Sequence, residues 1–171
     1  MRANPYNLLF SFLLLNLLFI SCSEEDNAEK NILGKWTTVE FQAGILVDGV
    51  PVIHWYMEKY NASEAKAIDF ANTIIEEVET NLKGTMEFSK NHTYKINFGD
   101  EPEVTGTWML VEDDAKLSFT NSRNNESNES DIKVLSSSTL ILGFSDTSRG
   151  DVDQDRWNED LFMSIELTLR K

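Results

Sequence analysis

The sequence predicts a mainly β chain, closed as an antiparallel barrel or sandwich and carrying one inserted amphipathic helix. Three observations predict it. About nine short segments alternate apolar and polar residues with period two, the mark of strands that bury one face. Polar turns of hairpin length separate most of them. One stretch alone, "NASEAKAIDFANTIIEEVETNLKG", repeats apolar residues three to four apart, the spacing of a helix with one packed face.

The N-terminus precedes that pattern and reads differently. Arg2 gives a basic start, and Leu8 to Ile20 is an apolar run broken only by Ser11 and Asn16. A bilayer core of roughly 30 Å needs about 20 apolar residues, so this run is too short to cross one. With the small residue Ser21 at its end, it reads as a secretory signal peptide over residues 1–21. Cys22 follows and is the only cysteine, so no disulfide within the chain is expected. Residues 22–30, opening Ser23-Glu24-Glu25-Asp26, read as a solvated acidic tether. Residues 31–171 then have the length of a single domain.

The chain holds 29 Asp and Glu against 15 Lys and Arg, a net charge of −14. Such a balance argues against nucleic acid as a partner, which needs a basic footprint. It also argues against lying flat on anionic lipid. The charge serves solubility and points to no specific partner.

The elements follow in order. "LGKWTTVEFQAG" reads as the first strand, rich in aromatic and β-branched residues. "ILVDGVPVIHWY" places Asp48-Gly49 between apolar runs, a strong hairpin signal, with Pro51 making the second arm an edge strand or an irregular one. The helix is expected over about 62–82, its stripe made of Ile68, Ala71, Ile74, Ile75, Val78 and Leu82. Asn61 and Glu64 suit a capping box, and Gly84 suits the stop. This stripe must pack on the outside or the open end of a sheet, while Glu76, Glu77 and Glu79 face solvent. Met86 and Phe88, then Tyr94, Ile96 and Phe98, then Val104, Gly106, Trp108 and Leu110, then Leu117 and Phe119 form a meander of alternating strands. "SRNNESNES" and "SDTSRGDVDQDRWNED" read as polar loops. The last strand alternates cleanly from Leu161 to Leu169, one face buried and one wet.

Several constellations could carry chemistry. Trp36, Phe88, Tyr94, Phe98, Trp108, Phe119 and Phe144 are the candidate ligand-binding set, lining a barrel mouth. The competing expectation is a core filled solid by these rings. Gly106, inward among them, favours a local gap. Trp55, Tyr56, Met57 and Tyr60 form a second patch, either a cap on the barrel or an exposed partner site. Asp151, Asp153 and Asp155 match the first ligands of a calcium loop, but Arg156 stands where that loop needs glycine and Phe162 where it needs a bidentate Glu. His54 and His92 lack a paired-ligand spacing, so no transition-metal site is expected. No cofactor motif and no nucleophile motif stands out, so no catalytic residue is assigned and no enzyme is expected.

Two resemblances add to this reading. "FISC" resembles the lipobox of bacterial lipoproteins, with Phe19 where leucine is usual. The resemblance implies a diacylglycerol on the Cys22 thiol and cleavage before it. The following acidic run resembles the surface-export signal of lipoproteins of Bacteroidetes-type bacteria, and Ser23 resembles outer-membrane sorting. A lipid-anchored, surface-exposed place at a bacterial outer membrane is thereby implied. "LGKW", "MEFSKNHTYKINF", "GTWMLVEDDAKLSF" and "STLILGF", in that order, resemble the lipocalin-like lipoproteins of the same bacteria. This second resemblance covers roughly residues 32–171 and implies a lipocalin-like up-and-down antiparallel β-barrel, from which the inserted helix departs. The functional expectation is a barrel that binds a small apolar or amphipathic ligand. The alternative is a non-catalytic module with a solid barrel that contacts another envelope protein or a glycan.

Overall fold

The structure, a computed structural model, describes residues 25–153, 155 and 158–171. The signal segment, Cys22 and Arg156 lie outside the described residues. The elements are α1 (Glu25–Ile32), β1 (Gly34–Val47), β2 (Val50–Pro51), α2 (Val52–Tyr60), α3 (Glu64–Leu82), β3 (Gly84–Phe88), β4 (Thr93–Phe98), β5 (Val104–Val111), β6 (Lys116–Asn121), β7 (Ser127–Leu135), β8 (Thr139–Gly150) and β9 (Glu159–Arg170). Every pairing is antiparallel and joins neighbours in a meander. A β1–β9 pairing closes β1 and β3 to β9 into a barrel of eight strands, with β2 as a short appended arm. Among the described residues, no helix is long and apolar enough to cross a membrane.

The barrel closes because its strands change length and face at defined points. Thr38 pairs with Leu169 and Glu40 with Thr168, so Val39 is an extra residue, a bulge that stands 57% exposed. Before it, Trp36 faces inward. After it the inward set is Phe41, Ala43, Ile45 and Val47, of opposite parity in the sequence. A second shift separates Ile132 from Val134 on β7. β1 pairs with β3 only over Gly34–Thr37, then runs on beside β9 to Val47. β1, β9 and β8 therefore extend as a three-stranded ribbon beyond the shorter wall β3–β7.

Two cores result. One fills the closed end of the barrel with Trp36, Phe88, Tyr94, Trp108, Phe119 and the leucines of β6, β8 and β9. Phe88 meets Trp108 edge-on at 5.8 Å, and Tyr94 meets Phe119 edge-on at 5.3 Å. The second core lies at the open end, where α2 and α3 pack on the ribbon through Ile45, Val47, Val52, Trp55 and Ala71. The segment Glu25–Lys171 thus carries a closed barrel and both cores, and folds as a unit.

Several expectations needed correction. Residues 25–30, expected in the tether, belong to α1, and its Ile32 is fully buried against the barrel core. Trp36 Nε1 donates to the Ile32 carbonyl at 2.7 Å, which pins α1 across the closed end. Three helices stand among the described residues where one was expected. The Asp48-Gly49 turn forms, with φ of 51° and 79°, but its second arm is the two-residue β2 and the chain then enters α2. Pro51 ends the ladder, and "VIHWYMEKY" buries Val52 and Trp55 on one helical side. Asn61 is not an N-cap. It ends α2 in the left-handed conformation, and Ser63 begins α3. Gly84 opens β3 at the point where a Cβ would lie 1.9 Å from the Asn97 carbonyl. Ile68 is 39% exposed, and α3 packs through Ala67, Phe70, Ala71, Ile74 and Ile75. The two polar loops shrink to 122–126 and 151–158, because β7, β8 and β9 take their remaining residues.

Candidate functional site

The inward rings do not form a pocket as a set. Trp36, Phe88, Tyr94, Trp108 and Phe119 are buried in the closed end, and Phe98 is packed against them. Gly106 leaves no gap, since an added Cβ would sit 2.7 Å from the Tyr94 ring and 2.0 Å from the Thr120 carbonyl. The ring of Tyr94 fills the space expected to be empty, and burial pushes its phenol pKa up. Of the seven candidates, Phe144 reaches an open cavity.

That cavity is a cleft of about 350 Å³ at the open end of the barrel. Three cross-strand pairs on the inner face of the ribbon build it: Phe144 with Ile165, Asp146 with Met163, and Ser148 with Leu161. Asn128 and Glu129 of β7 form the opposite wall. The floor is thus apolar and the rim polar, with carboxylates at Glu129 and Asp146 and, among the described residues, no Lys or Arg in the lining. An apolar floor with a few polar groups is the usual make-up of a small-ligand site.

At the rim, α2 is tied to the β8–β9 connection by one cation. Lys59 Nζ lies 2.8 Å from Asp153 Oδ2, Asp155 Oδ2 and Glu159 Oε1. Burial opposes the ammonium charge, but hydrogen bonds to these carboxylates hold its pKa well above the ordinary value. Tyr60 donates to Asp153 Oδ2, and this bond, with burial, pushes its phenol up to about 12. Burial by itself would raise the Asp153 carboxyl. The hydrogen bonds from Lys59 and Tyr60 outweigh it and hold the group below its ordinary value. Of the three calcium candidates, Asp153 and Asp155 are thus engaged by Lys59. Oxygens of Asp151, Asp153 and Glu159 also lie within 4.8 Å of one another. The ammonium does here what a metal ion would do, which is to balance converging carboxylates.

The second aromatic patch is mostly a packed cap. Trp55 is buried, and Tyr56 stacks on Phe70 at 4.4 Å. Tyr60 remains 44% exposed. Sequence reasoning missed Lys59, Asn128 and the inner face of β9 as site residues. Leu161, Met163 and Ile165 were visible as an alternating face, but nothing in the sequence marks where β7 ends its pairing and leaves that face open.

No protein-family model matches the chain, and no curated protein matches it. Among solved structures, the chain is similar to a DUF4847 family protein from Bacteroides vulgatus, with 13% identity, 81% of this chain and 94% of that chain covered, and a TM-score of 0.36. At that score the likeness carries no argument about site or function.

Proposed function

We propose that this protein is a lipid-anchored, lipocalin-like barrel of the bacterial outer membrane that binds a small apolar or amphipathic molecule in the cleft at its open end. The observation that carries the reading is the contrast between the two ends. The closed end is packed with rings, while the open end keeps a cleft of about 350 Å³ with an apolar floor and a polar rim. The lipid anchor rests on Cys22 and its lipobox-like setting. A helix dock at the closed end supports it, since α1 begins three residues after that cysteine and lies across the face opposite the cleft. The anchored end then faces the membrane and the cleft faces away.

Co-purification tests the reading. The full chain, extracted from its own membrane and analysed by mass spectrometry after mild denaturation, is expected to release a small amphipathic molecule in near-stoichiometric amount. Release of nothing but bulk membrane lipid, in equal amount from a Met163→Trp variant that fills the cleft, would count against it. The solid closed end by itself suits the alternative, a barrel that serves as an interaction module, and that outcome would favour it.

A further inference from the structure

The cleft does not end at the barrel wall. β7 and β8 pair up to Asp131–Gly143 and no further. Above that point β7 stays with β6, while β8 continues with β9. The wall is therefore split between residues 127–130 of β7 and 144–150 of β8. Outside the split lies a second cleft of about 620 Å³, floored by small residues of the ribbon: Gly44, Gly143, Ser145 and Ser164. Glu129, Phe144, Ser145 and Ile165 line both cavities. The two meet at the split, with Phe144 between them.

A buried polar group lies next to the split. Ser130, 2% exposed, follows Asn128 on the inward face and precedes the last β7–β8 pair. Its hydroxyl is buried and has no hydrogen-bond partner among the described residues. A hydroxyl buried without a partner is costly, and this one lies between Glu129 and Asp131, which line the clefts.

We propose that the two cavities are one bipartite site for a single-chain amphiphile with a neutral or cationic head. The chain lies on the Met163–Ile165 floor, and the head passes through the split beside Phe144 into the outer cleft. This rests on the reading of the inner cleft as a ligand site and adds the class of ligand. The head's charge follows from the lining. Among the described residues, the inner cleft is lined by carboxylates and by no cation. In the outer cleft Lys116 and Lys133 are held by Glu112 and Asp131 at 2.7 and 3.0 Å. Glu166 has no ion-pair partner among the described residues, and Glu129 is only 3.6 Å from an already engaged Lys116. Among the described residues, an anionic head meets there only lysines already paired with carboxylates, whereas hydroxyls or an ammonium find acceptors.

Calorimetric titration of the Glu25–Lys171 segment with decanol, dodecyl maltoside, dodecylamine and laurate, each below its micelle threshold, tests this. Decanol is expected to bind through the inner cleft alone. Maltoside and amine are expected to bind at least about tenfold tighter than laurate. Ser164→Trp, at an exposed position of the outer cleft only, should weaken maltoside about tenfold and leave decanol within about twofold. Glu166→Lys should narrow the gap between amine and laurate by roughly fivefold or more. Circular dichroism and melting confirm the fold of both variants. Maltoside binding indifferent to Ser164→Trp, or laurate as the tightest ligand, would overturn the bipartite site while decanol binding upheld the inner one. Failure of all four probes to bind would overturn both.

Discussion

Lys59 illustrates how much of this rim is decided by single residues. Asp153 has its carboxyl held below 3.8, so its ion pair adds stability above that pH and loses it as pH falls further. Lys59→Met leaves three converging carboxylates without their cation. The variant should melt below the wild type at pH 6, and the gap should shrink to less than about half as pH falls well below 3.8. Thermal melts at both pH values check this, and a gap that stays constant would remove Lys59 from the account. The closed end gives a second residue-scale contrast. Trp108→Ala, in the ring core, should cost about 3–5 kcal/mol in urea unfolding. Its neighbour Met109, 56% exposed on the other face, should cost within about 0.5 kcal/mol when truncated. That contrast was legible in "GTWMLV" from alternation alone. The Lys59 cluster was not, since Lys59 and Glu159 lie 100 residues apart and only the fold brings them together.

At the scale of elements, register decides which face is buried. Val39 is the hinge of β1's parity. Deleting it would leave a regular ladder, with Glu40 still opposite Thr168 and Phe41 still inward opposite Leu167, so the variant should lose the local bend, melt lower and still unfold cooperatively. Val39→Thr, which keeps the extra residue, should unfold within about 0.5 kcal/mol of the wild type. Chemical denaturation of the pair separates the backbone count from the side chain. The meander itself was legible, because its strands are short, alternating and joined by marked turns. α2 was not, because "VIHWYMEKY" follows a true hairpin turn and is rich in β-forming residues. It becomes a helix once Pro51 ends the ladder and the ribbon offers Ile45 and Val47 to be covered. The same limit hid the cleft. Apolar alternation on β9 predicts an inward face, but whether that face meets a packed wall or a gap depends on where β7 stops pairing.

Across the whole molecule, the two ends do different work. The closed end carries α1, the chain's C-terminus and the ring core. Lys171 Nζ donates to the Asn31 carbonyl at 2.6 Å and lies over the Trp36 ring. The open end carries the helical cap and the inner cleft. If Cys22 holds the lipid, a fluorophore on Asp113→Cys, in a closed-end turn, should be quenched more strongly by headgroup-labelled lipid than one on Arg123→Cys in an open-end turn. Cys22→Ser should lack acyl mass and leave the detergent phase. Equal quenching from both turns would contradict the outward-facing cleft. The central claim is that the open-end cleft takes a small amphipathic ligand, and its most direct measurement is decanol titration of the Glu25–Lys171 segment beside its Met163→Trp variant. Binding at one site is expected in the wild type, weakened roughly tenfold or more, about 1.4 kcal/mol, when the indole fills the floor. Equal binding by both, or none by either, would contradict it.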